Sequence, residues 1–247
     1  MRTEKQEKYL SKIGFDHYRE SEAPRLFIWG LRRVGNHAII EWIAQHGFKR
    51  VIHNNDIIGG RPWAYREYGE NAYDEKCPID LHIDSYEDFE PTITKTPEKN
   101  RIFFLRDWYN VASSRHVSGR GYIDTCRNKN DHRRNRSCEE VYIKYCELWD
   151  KYPDNFILYN QWCTDADYLK SIEKRFGWEH SPRTNKMPKS GIGEGSSFDN
   201  VVENSNIFNE RYLDVKWKEP ETWEQMTNNP IVNDYCEKIF DMKVEEL

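Results

Sequence analysis

Two short segments hold residue types whose spacing suits phosphate binding. The first, Gly30-Leu31-Arg32-Arg33-Val34-Gly35-Asn36-His37, follows an apolar run and leads into a helical pattern. Backbone N–H groups at a helix start are unpaired and the helix dipole is positive there, so an anion is stabilised at that point. Arg32 and Arg33 would supply charge, and Gly35 would let the backbone come close. A tight turn carrying two solvated arginines is the competing reading. The loop lacks the spacing, lysine and hydroxyl of G-x-x-x-x-G-K-[ST], which disfavours a Mg-dependent ATPase or GTPase. The second segment starts at Leu105-Arg106-Asp107, with Ser114 eight residues after Arg106. An arginine at a strand end and a hydroxyl two helical turns on would meet at the carboxyl edge of a sheet, where open α/β sheets bind ligands. A guanidinium can fork onto phosphate oxygens. Its plainer role would be a pair with Asp107.

Positioning those residues requires strands that end at them. Short runs rich in β-branched and aromatic residues stand at Arg25–Trp29, Arg50–His53, Ile79–Ile83, Arg101–Leu105 and Phe156–Tyr159. Helical spacing covers Asn36–Gln45, Val141–Tyr152 and Asp165–Phe176, the last stopping at Gly177. Strands alternating with helices imply right-handed crossovers and a parallel sheet covered by helices. The expected fold is therefore α/β: one domain from residue 25 to 247 with a central parallel sheet, in a P-loop-like nucleotide-binding architecture, after a polar lead-in over residues 1–24. Two stretches break the rhythm. Residues 116–136 are turn-rich and basic, a surface loop or an anion clamp, and residues 186–198 are rich in glycine and serine. Trp63, Tyr65, Tyr68 and Tyr73 form an aromatic cluster after the second strand, expected to pack a loop or to stack on an acceptor ring.

Composition narrows the class. The chain has 247 residues, 37% hydrophobic and 14% aromatic, with 9 Trp and 15 Tyr. Its mean hydropathy is −0.96. The core must therefore be built from a few large rings, and the composition is not that of a disordered chain. A net charge of −5 argues against generic DNA coating, and no apolar run reaches the ~18 residues of a membrane span. The charged N-terminus does not read as a signal peptide. Six scattered cysteines show no zinc or redox spacing, and a cytoplasmic location is the expectation. Neither G-x-S-x-G nor H-E-x-x-H occurs.

Together and in this order, the two segments resemble the sulfotransferase family that uses 3'-phosphoadenosine 5'-phosphosulfate (PAPS). There, a first-strand loop of pattern P-K-S-G-T-T binds the 5'-phosphosulfate, and a strand-end Arg with a Ser eight positions on binds the 3'-phosphate. By this resemblance Arg33 falls on the loop lysine, Gly35 on the glycine, and Asn36 and His37 on the two threonines, with Arg32 and Val34 in the same loop. Arg106 and Ser114 fall on the 3'-phosphate pair. The segment from Phe156 to Trp162 resembles the family's strand ending in an aromatic, which makes Tyr159 the candidate to stack on adenine. The loop from Lys189 to Ser197, with Gly191, Ser196 and Ser197, resembles the late loop that closes over the 3'-phosphate.

The resemblance implies sulfuryl transfer from PAPS to a hydroxyl or amine acceptor, leaving 3'-phosphoadenosine 5'-phosphate (PAP), with no metal required. The family's base lies at the end of the strand preceding the 3'-phosphate strand. Here Glu87, Asp84 and His82 are the candidates for it, Glu87 slightly ahead, with His53 a further one. His37, at the helix start, is expected to touch phosphate or cap the helix. A nucleotide-sugar glycosyltransferase and a non-catalytic member that binds a nucleotide or anionic glycan remain alternatives. The acceptor and the oligomeric state are not legible in the sequence.

Overall fold

In a computed structural model, the described residues are 22–58, 61–72, 74, 76–88, 91, 100–119, 137–180 and 210–247. They form a six-stranded sheet of order β3-β2-β4-β1-β5-β6. The strands are β1 (Arg25–Gly30), β2 (Val51–Ile58), β3 (Arg61–Tyr68), β4 (Leu81–Glu87), β5 (Arg101–Leu105) and β6 (Phe156–Leu158). All neighbouring pairs are parallel except β2 with β3. The helices are α1 (Asn36–Ala44), α2 (Trp108–Val117), α3 (Cys138–Trp149), α4 (Tyr159–Thr164), α5 (Ala166–Phe176), α6 (Tyr212–Lys218), α7 (Pro220–Thr227) and α8 (Pro230–Phe240). The chain is thus α/β, with a mostly parallel central sheet flanked by helices.

Local chemistry explains several boundaries. Ser137 and Glu140 form a reciprocal capping box that starts α3. Asp165 caps α5, which ends at Gly177 in the left-handed region, and Asn229 followed by Pro230 opens α8. β3 departs from the expectation of a loop. Trp63, Tyr65 and Tyr68 lie on an antiparallel edge strand, while Tyr73 is outside the described residues. Pro62 is tolerated there because an edge strand leaves one row of N–H groups without a ladder partner. β4 also runs later than expected, so Glu87 is its last residue and not one beyond it.

Large rings do build the core, as the composition implies. Tyr86, Trp29, Phe103 and Phe156 stack side by side across β4, β1, β5 and β6, with centroids 5.2, 5.4 and 5.0 Å apart. They occupy matching register positions, so each ring meets its neighbour across a strand pair. Such pairs add about 0.5–1.5 kcal/mol each beyond their buried area. Tyr145 of α3 closes over Phe103, and α3 meets α2 and α8 where Tyr142 packs on Trp108 and approaches Cys236. A second helical group joins α1 to α4 and α5 through Trp42 against Trp162 and a His46–Glu173 contact. Among the described residues no disulfide forms, and Cys138, Cys146, Cys163 and Cys236 are buried thiols.

Strand order locates the site. β1 connects through α1 to β2 on one side, whereas β5 connects through α2 and α3 to β6 on the other. Adjacent strands whose connections leave in opposite directions open a crevice at their carboxyl ends. Here those strands are β1 and β5, and the residues beyond them are the 30–37 loop and Arg106.

Candidate anion-binding site

The 30–37 loop is pinned from below. Val34 is fully buried, and the backbone turns through the left-handed region at Arg33 (φ 81°) and Gly35 (φ 92°). A Cβ at Gly35 would stand 2.1 Å from the Tyr159 ring, so only glycine fits beneath that tyrosine. Arg33 carries a side chain where few residues accept positive φ, a strain that loops at binding sites often store.

Of the two loop arginines, Arg32 is engaged within the protein. Arg32 does not stand ready for a phosphate. Its Nη2 donates to Asp56 at 2.6 Å and its Nε to Glu87 at 3.1 Å, while its backbone N–H donates to Asp88 at 2.9 Å. Burial opposes its charge, yet Asp88, Glu87 and Asp56 hold the guanidinium above its ordinary value. Arg115 of α2 donates to Asp88 at 3.0 Å. Burial would raise the Asp88 carboxyl, but Arg115 and Arg32 together keep it below the usual range. Asp56, Asp88 and Arg115 were not singled out in the sequence. Asp88 follows directly on Glu87 with φ 60°, and its N–H donates to the Gly30 carbonyl, which ties the end of β4 to the end of β1.

Glu87 lies at the carboxyl edge, level with Gly30. Its two oxygens accept from Arg32 and from Asn36 Nδ2 at 3.1 Å, so the carboxylate holds the loop and the first helical turn together. Asp84 and His82 lie further back on β4, opposite Phe27 and Arg25. Asp84 is buried and pairs with Arg25 at 3.3 Å and Asn54 at 2.9 Å. His82, level with the first residue of β1, is pushed down to about 4 by burial and by Arg25 and Arg50. From Glu87 it is five residues away along the strand, roughly 16 Å at 3.3 Å per residue. The structure therefore separates the three candidate bases: Glu87 adjoins the loop, and His82 and Asp84 do not.

Arg106 and Ser114 are the pair that stays open. Arg106 is 2% exposed and Ser114 1%. Arg106 Nη1 donates to the Arg33 carbonyl at 3.3 Å, and its guanidinium lies 4.7 Å over the Tyr159 ring. The expected partner Asp107 is not a hydrogen-bond partner. Its nearest oxygen is 4.0 Å from Arg106 Nε, and it is occupied by Asn110 at 2.8 Å and Asn160 at 2.8 Å as the cap of α2. Among the described residues, Arg106 Nε and Nη2 and Ser114 Oγ are buried without a hydrogen-bond partner. Buried donors left unmade cost about 1–3 kcal/mol each, so this arrangement is poor as structure and good as a cradle.

Tyr159, expected as a stacking platform, starts α4 and is 2% exposed, with Arg106 over its face and Gly35 against its edge. A ligand ring on that face would displace Arg106. Burial, Cys163 and Arg106 act on its hydroxyl, burial most strongly, and the net effect raises it. Arg211, not singled out in the sequence, adds a second buried guanidinium that bears electrostatically on Tyr159, with its backbone N–H on Asn110 at 2.8 Å. Lys189, Gly191, Ser196, Ser197 and most of the basic 116–136 stretch lie outside the described residues. Among the described residues, no group of three His, Cys, Asp or Glu side chains gathers to hold a metal, and no helix is long and apolar enough to cross a membrane.

No family model and no curated protein matches the chain. Among solved structures it is similar to mouse sulfotransferase SULT7A1 complexed with PAP. Identity is 15%, the likeness covers 90% of this chain and 92% of that one, and the TM-score is 0.42. At that score the likeness bears no weight. The α/β fold stands on the strand order and pairings themselves.

Proposed function

We propose that the protein is a PAPS-dependent sulfotransferase acting on a hydroxyl or amine acceptor. The observation that carries this reading is that Arg106 Nε and Nη2 and Ser114 Oγ, on the segment that follows β5 at the topological switch point, are buried with no hydrogen-bond partner among the described residues. A buried guanidinium fork and a buried hydroxyl suit a phosphate that is also taken out of water. In this reading Arg106 and Ser114 hold the 3'-phosphate. Arg33 and the N–H groups of the loop face the phosphosulfate end, where positive charge and the helix N-terminus favour an anion. Tyr159 backs Arg106 and keeps its fork in place. Bound PAPS would supply an activated sulfuryl group, so the chain has to orient an acceptor, receive its proton and exclude water.

A second reading, nucleotide binding without transfer, is favoured by one observation. Arg32 is neutralised by carboxylates, and both oxygens of Glu87 are taken. Calorimetric titration with PAP, AMP, ADP and a nucleotide sugar, without added metal, tests the donor site. Tight binding that needs the 3'-phosphate is the expected result. Equal affinity for AMP, or preference for the nucleotide sugar, would remove the reading.

A further inference from the structure

Beside the loop, a chain of buried polar groups runs from β3 through β2 and β4 to His37. Tyr68 Oη lies 3.5 Å from His53 Nδ1, and His53 Nε2 lies 2.9 Å from Ser85 Oγ. Ser85 Oγ also accepts the Asp56 N–H at 3.2 Å and lies 3.2 Å from Asn55 Oδ1, which is 3.4 Å from His37 Nε2. The Ser85 hydroxyl has its single proton for Asn55 Oδ1 or for the Asn54 carbonyl at 3.5 Å. Under either choice Asn55 Oδ1 is an acceptor, so His37 must donate to it from Nε2. The His37 proton is thereby fixed on Nε2, and the lone pair is left on Nδ1, which has no hydrogen-bond partner among the described residues. The residue stays partly exposed, directly after Asn36 at the start of α1.

Electrostatics keep the ring neutral. Burial is the largest effect and lowers its pKa from the ordinary 6.5, Arg66 of β3 and Arg33 of the loop lower it further, and Glu87 of β4 and Asn55 of β2 pull it back up. His53 of β2, whose ring centre is 6.3 Å away, is itself held well below 6.5 by burial, His37 and Arg66. Glu41, one turn along α1, is pushed up to about 7 by burial, against the pull of Arg66. His37 is thus a neutral imidazole with an oriented, open lone pair, at the end of the loop that carries Arg33.

Resting on the sulfuryl-transfer reading, we propose that His37 Nδ1 is the general base, with Asn55, Ser85 and His53 as positioning residues. The acceptor O–H bond breaks and its proton passes to Nδ1, while the oxygen lone pair forms the new bond to sulfur. The bond from sulfur to the bridging phosphate oxygen breaks, and that oxygen keeps the electron pair as PAP leaves. Glu87 then serves to hold the loop through Arg32 and Asn36.

Three readouts test this on the full chain. In long-range 1H–15N spectra of histidine-labelled protein without nucleotide, His37 is expected neutral with its proton on Nε2 above pH 6.5, and a proton on Nδ1 would overturn the proposal. Sulfate release from 35S-labelled PAPS, with water as acceptor, needs no known substrate. It is expected to rise with pH and level off above the His37 midpoint. His37→Gln should lower it about 100-fold, within the range of general-base effects, while calorimetric PAP binding stays within about 2-fold. Release at the wild-type rate in His37→Gln, or loss of PAP binding by that variant, would overturn the base assignment. Asn55→Asp places a charge opposite Nε2–H and should move both the spectroscopic midpoint and the release profile to higher pH; an unmoved midpoint counts against it. Failure of the donor reading is distinct, because wild-type protein would then show no preference for PAP over AMP or would prefer the nucleotide sugar.

Discussion

Arg32 and Arg106 follow neighbouring strands of one sheet, yet they have opposite surroundings. Arg32 lies among Asp56, Glu87 and Asp88, with its charge answered on three sides. Arg106 is the more deeply buried and still keeps two N–H groups without a partner among the described residues, and the Ser114 hydroxyl likewise has none. Satisfied polar groups in a protein interior stabilise a fold, whereas unsatisfied ones cost stability and persist where a ligand completes them. On the proposed function, the first arginine is structural and the second binds the ligand.

The largest effect should come from the satisfied side. Arg32→Ala removes the guanidinium from buried Asp56 and leaves buried Asp88 with Arg115 alone, and should cost about 3–5 kcal/mol of stability, read by urea denaturation. A loss below about 1 kcal/mol would break the contrast. Next comes Gly35→Ala, which forces a Cβ against the Tyr159 ring at φ 92°. We expect a stability loss of roughly 1–3 kcal/mol, together with weakened PAP binding, because Tyr159 backs Arg106.

The pH dependence separates the buried histidines from Asp88 beside Arg32. His82, His53 and His37 have folded values below 6.5, so each takes up a proton on unfolding. Their contribution to stability is complete above pH 6.5 and is lost as pH falls, through about 4 for His82. Asp88, with an ordinary value of 3.8 and a lower folded one, gives up its contribution only on further acidification. Urea midpoints should therefore decline from about pH 6.5 downward, and a flat profile to pH 4 would contradict the buried neutral histidines. The smallest effect belongs to Ser114→Ala. It should weaken PAP binding by about 0.5–1.5 kcal/mol and leave stability unchanged or slightly raised.

Spacing made part of this legible in the sequence. The strand ends at Gly30 and Leu105 followed from apolar runs, and the Arg106–Ser114 separation followed from helical geometry, since both depend on neighbours along the chain. The pairing of Arg32 did not, because its partners Asp56 and Asp88 come from β2 and the end of β4 and meet it only through sheet order. The same holds for Arg211, which reaches the site from the far end of the chain. β3 was missed because its arginines, glutamate and proline interrupt the alternation that marks a half-buried strand, although Gly59-Gly60 is a composition that short hairpin connections favour. The carboxylates around Arg32 were illegible for the same reason: charge is written in the sequence, but what neutralises it is tertiary.

The central claim is that Arg106 is kept unsatisfied for a 3'-phosphate. Its most direct test is calorimetric titration of wild type and Arg106→Ala with PAP and with AMP, which lacks that phosphate, alongside urea denaturation of both proteins. The account predicts that the variant loses at least about 30-fold in PAP affinity, the worth of one or two charge-assisted hydrogen bonds, with AMP affinity and stability held. Equal losses for the two nucleotides, or a destabilised variant that still prefers PAP, would contradict it.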